Sequence, residues 1–545
     1  MKKFIVVSLI GFLILTLGPA GYGQEKTGPT LKEKTGPTLE FKASGYLDVE
    51  TWYYRNVPEV PFESTANVYA TQANPAFAGR LYPVAPGVVS TDAAGGAFDK
   101  NRSYWSGRGR LKFDAIMGEN LKGTIWLEID STRWGEVAGS YASGGNPGKN
   151  NAGQWGADRT AIEVKNLNIT FGVPVIPIPA QIQVGILPMF YRPGILAYTD
   201  AAGIEAKINP IDPVNIKLSY FKALEGRDWA SDDVDVYGGD VSVRVAPPMT
   251  IGGYFLNFNM TTYPFFLSAP AAGPLVTFPE VNFSSKMWWL GLYADGKLGP
   301  VNVNLDFVYD TGNVKDRRDL VNRARDVDYQ GWATMLRVDY PWEKFNIGLV
   351  GLYASGANSR ETDPTGMPGT APPGAAAGVT SSKVEAYVVP PQAEVGLGDL
   401  SIVFYGVSST PLAPAPAYGG SSPTAMSRGQ IGGTWAARLH GSYKATSWYK
   451  VTLQGLYIGD TTKNGNTIGT ARKSPFGAGN LRDDNTIGWE LDLINEIQIY
   501  KNLSLKVAGG VLFPGNAMDY FVNAANPSVS PKIPYVIMSK LFYSF

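Results

Sequence analysis

Apolar and polar residues alternate along much of the chain from residue 41 onward. Between residues 301 and 309 the odd positions are apolar or aromatic, whereas Asn302, Asn304 and Asp306 occupy three of the even positions. The same division recurs at residues 41–53, 435–443 and 487–493. Because successive side chains of a strand point to opposite faces, this period of two predicts strands with one apolar and one polar face. Soluble β-sandwiches alternate in the same way, so the connections between strands must decide the class of sheet.

The connections between these predicted strands alternate in length. Short connections lie near residues 118–120, 172–180, 209–213, 246–248, 296–300, 341–344, 445–447 and 501–502. Long connections cover residues 56–101, 132–158, 189–203, 224–235, 260–285, 311–328, 356–429, 460–485 and 514–534. Outer-membrane barrels place short turns at one end and long loops at the other, and a soluble protein has no reason to do so.

This alternation predicts an all-β fold, a transmembrane antiparallel up-and-down β-barrel over residues 41–545. About eighteen strands follow if each long loop joins two of them, within a range of about 16–20. The longest connection, residues 356–429, leaves two alternatives open. It is one loop, or it contains two further strands at residues 384–389 and 401–405, which would give about twenty strands in all.

The last eleven residues, 535–545, carry the alternation to the C-terminus. One face holds Phe545, Tyr543 and Leu541, followed by Ser539, Ile537 and Tyr535. This ending resembles the terminal strand of bacterial outer-membrane β-barrels, which finish in Phe with apolar residues at alternate positions before it. Ser539 departs from that pattern. The resemblance implies that this strand closes the barrel and is recognised by the machinery that inserts barrels into the membrane.

Aromatic residues cluster where the predicted strands end. One group borders the short connections: Trp342, Trp448, Tyr449 and Tyr500. A second group borders the long loops: Trp52, Tyr53, Trp105 and Trp134. Membrane barrels carry such aromatic girdles at both lipid–water interfaces, so this distribution favours a barrel in a membrane.

The N-terminus predicts export. A short basic start, Met1-Lys2-Lys3, precedes an apolar stretch at residues 4–17 and small residues that suit cleavage near Gln24. We expect a signal peptide over residues 1–23. Residues 25–31 recur as residues 33–39 with one leucine in each copy, which cannot form a core, so residues 24–40 are predicted to be a flexible periplasmic leader. The expected location is the outer membrane of a Gram-negative-type cell.

Composition removes several other functions. The chain has 545 residues, 47 basic and 47 acidic side chains, one histidine and no cysteine. A zero net charge argues against nucleic-acid binding. The lack of cysteine excludes thiolate metal sites, disulfides and covalently attached c-type haem.

The hairpin around residues 118–120 is the most informative stretch of predicted inner wall. Its inward positions carry both charges: Arg102, Arg108, Arg110, Lys112, Asp114, Glu128 and Asp130. A three-residue turn pairs Arg110 with Glu128 and Arg108 with Asp130. Two interpretations stay open. The pairs stabilise a wet wall, or the cations form a basic ladder that orients anionic or dipolar solutes as they pass.

The connection at residues 189–203 follows the fifth predicted strand. In porins the third external loop lies at this place, folds into the barrel and narrows the pore. That resemblance implies that Arg192, Tyr198 and Asp200 stand at a constriction. The match is one of order along the chain, and this loop is poorer in acidic residues than the porin loops.

Enzymatic chemistry finds little support in the sequence. The single histidine, His440, falls mid-strand on the predicted inner face beside Arg438, where a hydrogen-bonding role is expected rather than that of a general base. The acidic stretch at residues 232–235 could bind Ca²⁺, but a solvated acidic loop is the simpler interpretation. No catalytic residue, cofactor or metal site is predicted.

The resemblance to porins therefore implies a channel for passive diffusion of small hydrophilic solutes. Porins are commonly trimers, so it implies a homotrimer as well. The expected partners are outer-membrane lipid and small solutes. The alternatives are a barrel that serves as scaffold or sleeve for a protein partner, a surface receptor, and a polysaccharide export channel, for which the acidic partners of Arg108, Arg110 and Lys112 are unfavourable. Fold alone does not choose among them.

Overall fold

The computed structural model describes residues 38–56, 101–131, 134, 161–174, 178–225, 233–261, 283–316, 326–356, 383–391, 400–405, 431–463, 484–519 and 530–545. Within these strands, the side chains that it does not describe are those of Asn101, Arg102, Asp130, Ser131, Ala161 and Phe283. The predicted signal peptide and nearly all of the predicted leader lie outside these residues and stay predictions. The first strand begins at Leu39, two residues before the predicted start of the barrel.

The described residues form one antiparallel sheet of long strands. In chain order these are β1 (Leu39–Arg55), β2 (Asn101–Met117), β3 (Leu121–Ser131), β4 (Ala161–Gly172), β5 (Ala180–Tyr191), β6 (Ala197–Ile208), β7 (Val214–Leu224), β8 (Val234–Ala246), β9 (Met249–Met260) and β10 (Phe283–Leu298). They continue with β11 (Val301–Asp316), β12 (Val327–Tyr329), β13 (Trp332–Trp342), β14 (Phe345–Ala354), β15 (Lys383–Val384), β16 (Thr434–Lys444), β17 (Tyr449–Asp460), β18 (Thr486–Tyr500), β19 (Leu503–Pro514) and β20 (Tyr535–Ser544).

The sheet closes on itself. The last strand, β20, pairs with the first, β1, in a register that runs from Tyr46 opposite Ser544 to Arg55 opposite Tyr535. The short β12 continues the line of β13 along β11 and pairs in parallel with β15, so neither adds a barrel strand. The result is a closed antiparallel barrel of 18 strands, which confirms the predicted fold class. The two extra strands that residues 356–429 could have supplied are not part of the barrel.

The short connections all lie at one end of the barrel, as the sequence predicts. One predicted long connection is much shorter than expected, because β5 continues to Tyr191 and β6 begins at Ala197. Residues 192–196 alone join them. Most of the predicted loop at 189–203 is therefore a β-hairpin.

The outer face of the barrel is apolar. Leu292 and Leu439 are 65% and 61% exposed. A water-soluble fold would not expose large apolar side chains all the way around its sheet. In β20, Ile537, Leu541 and Tyr543 are exposed, whereas Val536 and Met538 are buried on the inner face, as the alternation predicts. No helix among the described residues combines the length and apolar composition that a membrane-spanning helix requires.

Aromatic rings band both ends of this apolar surface. Near the long loops, the ring centroids of Trp332 and Tyr353 lie 4.7 Å apart. Near the short turns, those of Phe345 and Tyr443 lie 4.8 Å apart. An apolar belt between two aromatic girdles on a closed antiparallel sheet is the architecture of an outer-membrane barrel.

The inner face is not polar throughout. Towards the long loops, strands β9 to β17 direct apolar side chains inward, and these are buried: Leu256, Phe258, Met287, Trp289, Met335, Leu352 and Leu456. The prediction of a polar inner face fails in this half. Segments of the long connections fold into the barrel and pack against it, so these side chains form a core inside the lumen.

The architecture makes a direct prediction about the purified protein. In detergent it should give a β-rich circular dichroism spectrum and an electrophoretic band whose mobility changes on boiling, because the closed ladder resists the detergent until heated. Recovery as a soluble monomer rich in helix would contradict the fold.

Candidate functional site

The β5–β6 hairpin leaves the barrel wall. The ladder between β4 and β5 covers only the stretch from Leu167 to Gly172 on β4. On the other side, the ladder between β6 and β7 ends at the pair formed by Ala202 and Lys222. Strands β5 and β6 nevertheless stay paired with each other up to Tyr191 and Ala197. Residues 187–201 therefore form a two-stranded arm, here called the inner hairpin, that separates from both neighbouring strands.

Arg192, at the tip of the inner hairpin, binds carboxylates of β10 and β11, five strands further around the barrel. Its Nη1 and Nη2 donate to the carboxylate of Asp295 on β10 at 2.6 and 3.0 Å, and its Nε donates to Asp306 on β11. Its guanidinium also lies 4.4 Å from the ring centroid of Tyr293. Burial acts to lower the pKa of Arg192, but the hydrogen bonds donated to the two carboxylates outweigh it and the pKa is raised above its ordinary value. The tip is thus held by a charged, multidentate anchor.

Apolar packing holds the same tip. Ile195 and Leu196 are fully buried, and the Ile195 carbonyl accepts a hydrogen bond from the Tyr387 hydroxyl at 2.6 Å. Before the tip, the Phe190 carbonyl accepts a hydrogen bond from Lys217 Nζ on β7 at 2.8 Å. One face of the inner hairpin is therefore sealed against the inner wall.

The opposite edge of the inner hairpin is tied to β4 and β3 by charged groups. Lys165 Nζ donates to Asp200 Oδ2 at 2.6 Å and lies 3.9 Å from Glu128 Oε2 on β3. Glu128 in turn accepts from Arg110, and its Oε1 lies 3.6 Å from Arg108 Nε. A chain of alternating charges thus runs from β2 across the wall to the inner hairpin.

The structure brings together most of the predicted pore-lining residues. The β2–β3 register places Arg110 opposite Glu128 and Arg108 opposite Asp130, as the three-residue turn predicts. Further along the same hairpin, Lys112 Nζ lies 3.2 Å from Asp114 Oδ2, which is on the same strand. The side chains of Arg102 and Asp130 fall outside the described part of the chain. Asp200 joins this group through Lys165, whereas Arg192 pairs with Asp295 and Asp306 on β10 and β11.

Several charged residues of the same wall escaped the sequence analysis. Lys540 Nζ, on β20, lies 3.0 Å from Asp48 Oδ2 and 2.8 Å from Glu50 Oε1, both on β1. Lys165 was missed because the ladder shifts register between Trp126 and Leu127, which breaks the period of two in β4. The signal for Lys540 was present, since it falls on the polar face of the terminal strand, but its partners depend on how the barrel closes.

The cations of this wall are better exposed than their partners. The side chain of Arg108 is 42% exposed and that of Glu128 10%. Lys112 is 31% exposed against 15% for Asp114, and Lys540 31% against 8% for Asp48. Arg110 and Lys165 do not follow this trend, because both are nearly buried. In these three pairs the cation is therefore the more exposed group, but the same wall also carries an exposed carboxylate, Glu163, which lies opposite Glu128.

Residues 383–391 occupy another part of the lumen. Trp289 Nε1 on β10 donates to the Val388 carbonyl at 2.8 Å, and the Val388 amide donates to the fully buried Asp310 of β11 at 3.1 Å. The Tyr387 hydroxyl connects this segment to the inner hairpin. Burial strongly raises the pKa of Tyr387, which keeps its phenol protonated as the donor in that contact. The side of the barrel formed by β10 and β11 is filled in this way.

Two remaining predictions concern single groups. His440 Nε2 lies 2.9 Å from Asp339 Oδ1, which fits the predicted hydrogen-bonding role. In the acidic stretch, Lys222 Nζ binds Asp233 and Asp235 at 2.9 and 3.0 Å, so these carboxylates have a lysine partner. Among the described residues, no group of three or more acidic or histidine side chains is placed to hold a metal ion.

Comparison with known proteins gives similarity at the level of solved structures. No protein-family model matches the chain, and no curated protein matches it either. OccK11 (OpdR) of Pseudomonas aeruginosa aligns with a TM-score of 0.41 at 10% identity, covering 92% of this chain and 96% of its own. OccAB4 of Acinetobacter baumannii aligns with a TM-score of 0.43 at 8% identity, covering 92% and 98%. OccK2 (OpdF) of P. aeruginosa, in complex with glucuronate, aligns with a TM-score of 0.44 at 10% identity, covering 92% and 98%. The assignment of the fold rests on the strand pairing within this chain.

Proposed function

We propose that the protein is a porin-like channel for passive diffusion of small hydrophilic solutes across the outer membrane. The observation that carries this proposal is the inner hairpin, which leaves the wall at β5 and β6 and is held inside the barrel by ion pairs to β4 and to β10 and β11. A barrel of about eighteen strands is too wide to be filled by wall side chains alone, so an inserted hairpin reduces the open cross-section without closing it. The remaining path runs along the charged wall of β1 to β4.

We further propose that this path favours anionic solutes. The cations Arg108, Lys112 and Lys540 are each better exposed to water than the carboxylates that they bind. Charges at a narrow, low-dielectric passage act on ions over roughly 8–10 Å at ordinary salt. Arg110 and Glu128 are nearly buried and paired with each other, so they fix the geometry of the wall and contribute little to the electrostatic field in the lumen.

The alternatives fit the lumen less well. A sleeve needs free space along the axis for its partner, but the inner hairpin and residues 383–391 already lie inside the barrel. A polysaccharide exporter needs a wide passage lined by cations without acidic partners, whereas Arg108, Arg110, Lys112, Lys165 and Lys540 all contact carboxylates. The single histidine, His440, is engaged with the Asp339 carboxylate, and we infer transport rather than catalysis. The homotrimer that the porin resemblance implies stays a prediction.

Reversing two cations of the wall tests the anion preference. The double substitution Arg108→Glu and Lys112→Glu, at two exposed cations, should shift the reversal potential in a salt gradient towards cation selectivity, with the largest shift at low ionic strength. The barrel should still fold, because exposed ion pairs contribute only about 0–1 kcal/mol each and water in the lumen solvates the new carboxylates.

A matched control reverses the same amount of charge elsewhere. Lys344 and Lys501 are exposed and lie in two of the short turns between strands. Their double substitution by glutamate should leave the selectivity close to that of the unmodified protein. An intact Arg108→Glu, Lys112→Glu barrel with unchanged selectivity would remove the anion preference and leave these residues a purely structural role.

A further inference from the structure

Residues 400–405 lie inside the barrel although they belong to the longest connection between strands. Leu400, Val403, Phe404 and Tyr405 are fully buried. The segment rests directly on the wall, because a Cβ atom added to Gly510 of β19 would lie 2.9 Å from Val403 Cγ2 and 3.1 Å from Ile402 Cβ. This segment is separate from the inner hairpin and plays no part in the site described above.

A single wall carboxylate binds the backbone of this segment. Glu490, on β18, accepts hydrogen bonds from the amides of Ile402, Val403 and Phe404 at 2.8, 2.8 and 2.9 Å. It also accepts one from Ser401 Oγ at 2.9 Å. Consecutive backbone amides that converge on one point form an anion-binding nest, and here the bound anion is a side chain of the barrel wall.

Neighbouring wall residues reinforce this contact. Asp492 Oδ2 accepts from Gln454 Nε2 at 2.7 Å and from the Ile402 amide at 3.2 Å. Gln454 in turn accepts from Arg438 Nη1 at 3.3 Å. At the end of the segment, the Tyr405 hydroxyl donates to Thr434 Oγ1 at 2.9 Å. Strands β16, β17 and β18 therefore all contribute polar groups to one small area.

Glu490 and the segment depend on each other. A buried carboxylate is costly unless it is hydrogen-bonded, and four donors from residues 401–404 satisfy Glu490. Removal of the segment would leave Glu490 and Asp492 side by side on the inner wall without those donors. Removal of the carboxylate would take away the acceptor of the Val403 amide, and it would leave the Ile402 and Phe404 amides with only Asp492 Oδ2 and Ser401 Oγ. Apolar side chains alone could fill this space, so the hydrogen bonds to Glu490 are an additional attachment of the segment to the wall.

We propose that residues 400–405 form a latched plug that closes the β16–β19 side of the lumen, with the Glu490 carboxylate as its latch. The plug confines passage to the charged wall of β1 to β4. Its effect on conduction rests on the proposed channel function, but its burial and its dependence on Glu490 do not.

Thiol accessibility tests the plug without reference to conduction. The chain contains no cysteine, so a single Val403→Cys substitution reports on this segment alone. A water-soluble thiol reagent should leave this cysteine unmodified in the folded barrel. With Glu490→Ala added, labelling should accelerate about tenfold or more, because several charge-assisted hydrogen bonds are lost. The control is Glu496→Ala, on the same strand at an exposed position, which should leave Val403→Cys protected.

Conductance and folding complete the test. Glu490→Ala should raise the single-channel conductance, and heat-modifiable mobility should show that the barrel is intact. Should Glu490→Ala not assemble, Glu490→Gln keeps the shape of the side chain but loses its charge and one acceptor, and it should give intermediate labelling. Rapid labelling of Val403→Cys in the otherwise unmodified protein, or full protection in both Glu490 variants, would overturn the proposal. If Glu490→Ala allows the reagent to label Val403→Cys but the barrel never conducts, the plug is supported and the channel function is refuted.

Discussion

Replacement of both Leu541 and Tyr543 by aspartate is expected to abolish assembly of the barrel. Both side chains are exposed on the outer face of β20, and they lie opposite Val49 and Leu47 of β1 at the closure of the sheet. An aspartate that faces hydrocarbon costs about 2–3 kcal/mol. Two such residues therefore cost a large part of the free energy of unfolding of a typical fold. The measurement is the amount of heat-modifiable protein in the outer-membrane fraction.

A conservative double substitution tests whether assembly requires an apolar face or these two particular residues. Leu541→Val with Tyr543→Phe keeps the face apolar and should assemble at nearly normal levels. Normal membrane levels of the double aspartate variant would mean that this face does not meet lipid, and the orientation of the closing strand would then be wrong.

Substitution of Arg192 by alanine should release the inner hairpin and enlarge the pore. Arg192 is the cation that binds both Asp295 and Asp306, and loss of one partner of a buried ion pair costs on the order of 3–5 kcal/mol. The freed carboxylates would add negative charge to the lumen. We therefore expect a higher single-channel conductance, more frequent fluctuations and a shift of selectivity towards cations.

The control for Arg192 is an arginine that also pairs with an aspartate but whose ion pair is well exposed to water. Arg244 contacts Asp212 at the short-turn end, where both side chains are exposed, so Arg244→Ala should leave conductance unchanged. Arg192→Lys should fall between the two, since an ammonium cannot reproduce the forked contact with Asp295. An Arg192→Ala channel that conducts like the unmodified one would show that apolar packing of Ile195 and Leu196 is sufficient to hold the tip.

The wall of the barrel was predictable because it follows local rules. Period-two alternation assigned the faces of β20, and the length of one turn fixed the register that sets Arg110 opposite Glu128. The register depends on residues that are close in sequence, and the assignment of faces depends on the requirement that one face contacts lipid. The same rules failed at Lys165, because the register between β3 and β4 shifts there and one extra residue of β4 interrupts the alternation.

The contents of the barrel were not predictable in the same way. Alternation places Glu490 and Asp492 on the inner face, but it does not reveal that they bind the backbone of residues 401–404 rather than water. The inward apolar residues Met287 and Trp289 did leave a signal, since residues 287–290 are apolar on both faces. A strand that is apolar on both sides needs a second apolar surface to cover it, and here the inner hairpin and the inserted segments supply that surface.

The loop prediction at residues 189–203 was correct in place and wrong in form. Met189, Phe190 and Tyr191 continue β5, and the hairpin turns at residues 192–196. A strand that leaves its neighbours keeps its alternation, so the sequence gives no sign of where the ladder with β4 ends. That end depends on contacts with β10 and β11, which are distant in the chain.

Reconstitution of the purified protein alone into planar bilayers tests the central claim most directly. A folded, heat-modifiable barrel should produce stepwise conductance without any added protein, and its reversal potential in a salt gradient should indicate a preference for anions. A folded barrel that remains silent, or that conducts only after a second protein is added or removed, would contradict the channel and favour the sleeve.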